Sequence, residues 1–208
     1  GHPPALPERP PRPRDGALTL AARLPARCPS PPPGTVVSCA FSGGPDSTAL
    51  VALALQQGLT VTAHHVDHRL RFESEAEAEQ AAAIAGTLGV AFELHVATID
   101  AGPNLEARAR DARNALLPTG SMTGHTLDDQ AETVLLRLLR GSGSDGLSAI
   151  EPGHRHPILA LRRAETVALC AELGIEPVRD SSNDSNAVRR NRVRHELLPL
   201  AAEIAGRD

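Results

Sequence analysis

The spacing of apolar positions changes several times along the chain, and each change marks an element. TVVSCAF (35–41) is a short apolar run that reads as a buried strand, and STALVALALQQG (47–58) follows as a helix closed by Gly58. TVTAHHVDH (60–68) reads as a second strand. SEAEAEQAAAIAGTLG (74–89) predicts a helix that opens on Ser74 and Glu77 in capping-box spacing. VAFELHV (90–96) gives a third strand, NLEARARDARNALL (104–117) an amphipathic helix, and SMTGH (121–125) a short fourth strand. TLDDQAETVLLRLLRG (126–141) is the most clearly patterned helix, with Leu127, Val134, Leu135, Leu138 and Leu139 on one stripe. After the loop GSGSDG, HPILAL (156–161) predicts a final strand and RRAETVALCAELG (162–174) a helix. Residues 183–200 read as a polar turn and a basic helix that stops near Pro199.

Strands alternating with helices over short connections imply an α/β fold: a Rossmann-like, three-layer domain whose parallel sheet lies between helices. Ligands of such sheets sit beyond the carboxyl ends of the strands. Three regions follow: a Pro/Arg-rich leader over 1–34, expected to be partly disordered with one short helix near 17–26; the sheet domain over 35–160; and a helical C-terminal extension over 161–208, its basic helix packed on the same domain.

Composition narrows the chemistry. The 208 residues carry a net charge of −4, which exerts no global pull on nucleic acid, so an RNA partner must meet a local basic patch. All 21 basic residues are Arg, which removes any Schiff-base or phosphate-clamping Lys. Three Phe and no Trp or Tyr leave little for base stacking. Cys28, Cys39 and Cys170 are odd in number and lack C-x-x-C spacing, which argues against a disulfide framework, a structural zinc or an iron–sulfur site. No apolar run approaches the ~20 residues of a bilayer span, and no signal peptide is apparent, so a cytoplasmic location is expected.

Five stretches carry candidate chemistry. In SGGPDS (42–47) the glycines let the backbone approach an anion, with a helix N-terminus behind them and hydroxyls at Ser42, Ser47 and Thr48. It is not a Walker A loop, because no Lys precedes the Ser/Thr. An acidic Asp46 beside phosphates requires a cation such as Mg²⁺ between them; a tight turn capped by Ser47 is the plainer reading. In GHTLDDQAET (124–133) Thr126 is the N-cap, and Asp129 and Glu132 lie one turn apart on one side. In HHVDH (64–68) strand alternation separates His64 and His68 from His65 and Asp67, which disfavours zinc; a polar strand end pairing Asp67 with Arg69 or Arg71 also fits. Arg110 and Arg113 share a helix face, as do Arg190 and Arg194, and Arg189 and Arg192 widen the positive surface. Phosphate binding and a solvated, ion-paired face both fit these arginines.

These motifs also carry a resemblance. SGGPDS resembles the pyrophosphatase loop of the N-type ATP pyrophosphatases, which cleave ATP between the α- and β-phosphates and adenylate a carbonyl or amide oxygen. HTLDDQAET, HVDHRLR, the Asn104/Glu106/Arg110/Arg113 helix and DSSNDSNAVRRNRVRHELLP (180–199) are similar to motifs of the lysidine synthetase branch, with Asn114 where Tyr is usual and Ser181, Ser185 and Val188 also departing. The resemblance implies an adenine nucleotide alpha hydrolase-like fold and adenylation of the wobble cytidine C2 oxygen in tRNA(Ile) with a CAU anticodon. The ε-amine of free L-lysine would then displace AMP. It further implies that Ser42, Gly43, Gly44, Pro45, Asp46, Ser47, His68 and His125 bind ATP, and that Asp46 and Asp129 hold Mg²⁺. Asp46, His125, Asp129 and Arg190 would carry the catalysis, and Arg110, Arg113, Arg189, Arg190, Arg192 and Arg194 the tRNA. A 2-thiocytidine-type tRNA thiolase and an ATP-binding module without turnover are the alternatives.

Overall fold

The computed structural model describes residues 19–69, 74–98, 105–143, 149–178 and 189–206, apart from the side chains of residues 105–107 and 189. Most of the leader, part of the GSGSDG loop and the DSSN stretch expected at 180–183 lie outside the described residues.

Three parallel strands, β1 (Val36–Ala40), β2 (Thr60–Asp67) and β3 (Ala91–Val96), are hydrogen-bonded in chain order. Helix α2 (Pro45–Gln56) joins β1 to β2, and α3 (Ser74–Leu88) joins β2 to β3. One sheet face is apolar because Val37 and Cys39 stand level with Val61 and Ala63, and Ala63 with Phe92. Against it pack Leu50 and Leu53 of α2 and Ala81, Ile84 and Ala85 of α3, forming the core. The opposite face carries Ser38, Thr62, His64, Glu93 and His95, as strand alternation requires. Helices α4 (Leu105–Leu116), α5 (Leu127–Leu139) and α6 (Arg163–Glu172) follow, and α6 packs on α2.

Three local expectations are corrected, and the short leader helix is met. The fourth strand shrinks to a single bridge: Met122 exchanges backbone bonds with Ser38 and Ala40, both 2.8 Å. Pairing goes no further because the Thr123 amide turns to the Arg155 carbonyl. HPILAL is a run of turns, since the amides of His156, Leu159 and Leu161 each bond three residues back and Pro157 has no amide to give. Its apolar side chains still enter the core, with Ile158 and Leu161 fully buried. The leader helix is α1 (Leu20–Arg23) followed by a 3₁₀ turn, Leu24–Arg27. Pro199 does not end the basic helix. Short α7 (Arg189–Arg192) widens into a π turn, Val193–Leu197, and continues as α8 (Leu198–Ala205). The wider turn lets the Leu198 amide reach Val193, and Pro199 falls in the first turn of α8, where an amide is dispensable.

Candidate active site at the carboxyl edge of the sheet

The SGGPDS turn leaves the end of β1 and runs into α2, with Gly44 as N-cap and Pro45 in the first helical position. Ser47 is therefore not the cap; its hydroxyl donates to the Gly44 carbonyl at 3.1 Å. Ser42 Oγ and Ser47 Oγ lie 3.2 Å apart, and they accept the Gly44 and Ser42 amides in long bonds of 3.3 and 3.2 Å. Gly43 has φ +75°, and a Cβ there would stand 2.6 Å from Val178 Cγ2. Gly124 is constrained differently: a Cβ would fall 2.9 Å from the Asp46 carbonyl carbon and oxygen. The segment after Met122 thus lies directly on the loop, and only glycine permits the approach.

That contact brings the start of α5 beside Asp46. The Thr126 amide and hydroxyl both donate to Asp129 Oδ2, at 2.8 and 2.9 Å, which orients the carboxylate and caps the helix. Asp46 accepts from Thr166 Oγ1 at 2.5 Å and from Arg163 Nε at 3.1 Å. The same guanidinium reaches Asp129 Oδ1 at 3.2 Å, and Arg190 Nη2 reaches that oxygen at 3.0 Å. Below them Glu132, fully buried, pairs with Arg190 and Arg194 through 2.5 and 2.6 Å contacts. Three carboxylates and three guanidinium groups therefore share one partly buried network.

Burial shifts the titrations here. It raises the Asp46 carboxyl above its ordinary value, more than Thr166 and Arg163 lower it. Burial acts on Asp129 too, but the Thr126 amide and the charges of Arg163 and Arg190 outweigh it and hold that carboxyl below its usual range. His125 is pushed down to about 4, chiefly by burial. Its Nδ1 lies 2.7 Å from the Thr123 hydroxyl, which is also 2.7 Å from His156 Nδ1.

The structure thus gathers Asp46, His125, Asp129, Arg190 and Arg194 at one end of the sheet. His68, just past β2, joins their margin through Arg113, whose charge adds to burial in lowering the His68 pKa. His68 Nδ1 and Arg113 Nε are buried without a hydrogen-bond partner, so both have a donor or acceptor to spare. Arg110 is exposed on α4. Arg192 is turned away, paired with Glu196 at 2.8 Å. Sequence reading missed Arg163, Thr166, Thr123 and His156. The RRAET start of α6 was visible, but nothing in it pointed 117 residues back to Asp46.

A parallel sheet whose first strand feeds a two-glycine turn, with charged groups gathered beyond the strand ends, defines an α/β domain of the class whose ligands sit at the carboxyl edge. The sequence profile of the PP-loop domain matches residues 26–201, and the chain belongs to that family. Among curated relatives, it is 45% identical to a protein of Nocardia farcinica named tRNA(Ile)-lysidine synthase, over 90% of this chain and 60% of that protein. Proteins with the same name match in Rhodococcus erythropolis (46%, 82% of this chain, 55% of that one) and Gloeobacter violaceus (38%, 89% and 63%). The chain therefore spans just over half the length of these relatives. A solved U34-tRNA thiolase, NcsA of Methanococcus maripaludis, shares the fold at a TM-score of 0.61 and 16% identity, covering 83% of this chain and 67% of that one.

Proposed function

We propose that the protein ligates lysine to C2 of the wobble cytidine of tRNA(Ile) bearing a CAU anticodon, in the cytoplasm and at the expense of ATP. The observation that carries this reading is the 45% identity, over 90% of the chain, to a protein named tRNA(Ile)-lysidine synthase. The C2 carbonyl oxygen attacks the α-phosphorus and pyrophosphate departs. The lysine ε-amine then adds at C2 and AMP leaves. Adenylation is needed because an amide-like oxygen is a poor leaving group.

Ser42, Gly43, Gly44, Pro45, Asp46 and Ser47 would cradle the ATP phosphates. The long bonds from the Ser42 and Gly44 amides to serine hydroxyls are ones that phosphate oxygens can replace. Asp46 and Asp129 both contact a single cationic group, Arg163, so the two carboxylates face a position that already holds positive charge, and oxygen ligands suit a hard divalent ion. They would hold Mg²⁺, whose charge would offset that of the departing pyrophosphate. Arg163 and Arg190 stand ready to pair with phosphate oxygens. His125, neutral at physiological pH, lines the nucleotide pocket beside His68. Exposed Arg110 and Arg192 are assigned to the tRNA backbone, whereas Arg190 and Arg194 reach it only by leaving Glu132. Residues 35–160 act as the catalytic domain and 161–208 as its extension.

A thiolase reading finds no support in the cysteines. Cys28, Cys39 and Cys170 are buried, and burial pushes their thiols up to about 11, 12 and 11, where no thiolate forms near neutrality. The test is pyrophosphate release from ATP. Release that requires both tRNA(Ile) with a CAU anticodon and lysine is expected. Release with another tRNA or amine would redirect the assignment, and ATP binding without release would leave a binding module.

A further inference from the structure

We propose that His64, Glu93 and His95 form a binding site for a divalent transition-metal ion of the zinc class, on the sheet face turned away from α2 and α3. Three donor atoms converge there. His64 Nδ1 lies 3.0 Å from His95 Nε2 and 3.3 Å from Glu93 Oε2, and the last two are 3.9 Å apart. A tetrahedral ion with bonds of ~2.0–2.1 Å keeps its donors roughly 3.3–3.4 Å from one another. The observed triangle brackets that spacing, so an ion fits with little movement.

Strand pairing brings the three residues together. His64 and Glu93 are register partners on β2 and β3, and His95 follows two residues on, so all three share one face. Reading β2 alone disfavours zinc, because its neighbouring histidines alternate; the second and third ligands come from the adjacent strand. Two imidazoles and a carboxylate leave a fourth position for water, as in open zinc sites. Magnesium, which prefers six oxygen ligands, is disfavoured by the same set.

The facing donor atoms suit a metal. Without an ion, the two facing nitrogens can share only one proton, while Glu93 approaches the same His64 nitrogen. An ion would satisfy all three atoms at once. It would also clamp β3, an edge strand among the described residues, onto β2. The His64 carbonyl accepts the amide of Phe41 at 2.8 Å, one residue before the SGGPDS turn, so the clamp sits one bond from the loop's anchor.

Chelator-stripped protein titrated with Co²⁺ and then Zn²⁺ tests this. One equivalent of Co²⁺ is expected, giving visible absorption of a four-coordinate site that Zn²⁺ displaces and Mg²⁺ does not. A hundredfold excess of Zn²⁺ over Kd should raise Tm by roughly 5–10 °C. Glu93→Gln and His95→Ala, both at solvent-accessible positions, should weaken binding at least tenfold, whereas His156→Ala in the other histidine pair should not. Absence of Co²⁺ absorption and of any Zn²⁺ effect on Tm, or binding that survives His95→Ala, would leave only a hydrogen-bonded histidine pair and overturn the proposal.

Discussion

Arg163 bridges Asp46 and Asp129, with Nε 3.1 Å from one carboxylate and Nη2 3.2 Å from the other. The two acids assigned to a metal are therefore held together by a guanidinium from a third element. Replacing Arg163 with Gln leaves two like charges facing each other. Stability should fall by about 3–5 kcal/mol, the usual cost of breaking a buried pair from one side. Millimolar Mg²⁺ should restore part of that loss in the variant and do little for the parent. Urea unfolding with and without Mg²⁺ measures both.

Glu132 has no exposed surface and contacts Arg190, Arg194 and Arg163. Glu132→Ala takes one acid from three partly buried guanidinium groups and leaves Arg194 only a 3.9 Å contact with Asp129. A loss of about 3–5 kcal/mol is expected, together with loss of pyrophosphate release, because Arg190 and Arg194 lose the anchor that aligns them. Denaturant midpoints and single-turnover assays separate the two effects.

Asp46→Asn should behave in the opposite way. Burial raises the Asp46 carboxyl, so ionising it at neutral pH works against folding, and the isosteric amide removes that cost. Thermal stability should be unchanged or slightly higher, while pyrophosphate release collapses. A stability loss as large as that of Glu132→Ala would show that Asp46 mainly supports the fold.

Gly124→Ala places a methyl group against the Asp46 backbone, at 2.9 Å. The loop must shift by a few tenths of an ångström or more. Turnover should drop roughly 10–100-fold, with a stability cost of about 1–3 kcal/mol. An unaltered kcat would mean that the loop position does not govern the chemistry.

His125, lowered to about 4 from 6.5, is neutral in the folded state where the unfolded chain would begin to protonate. Its stabilising contribution is full above pH 6.5 and is lost as pH falls toward 4, amounting to roughly 3 kcal/mol at most. His64, His65 and His156 are lowered too and act in the same sense. Acid unfolding should begin below pH 6.5, and His125→Asn should flatten the slope between pH 6.5 and 4.

The element order was legible because each helix or strand repeats its own apolar period. α2, β2, α3, β3, α4 and α5 each fall within two residues of their expected ends. Misreadings occurred where backbone partners decide the outcome. HPILAL is apolar enough for a strand, but its amides are spent on local turns, and Pro199 looks like a stop until the π turn before it is seen.

By itself the sequence determined which chemistry was present: a glycine turn with an acid in it, an Asp129 cap, and an arginine-rich end. It could do so because turns and caps are written in neighbouring residues. Only the tertiary structure decided which charges neutralise which. Arg163 and Thr166 reach Asp46 from 117 and 120 positions away, and Glu93 and His95 meet His64 across a strand boundary. Those pairings depend on helix packing and strand register, which no local spacing encodes.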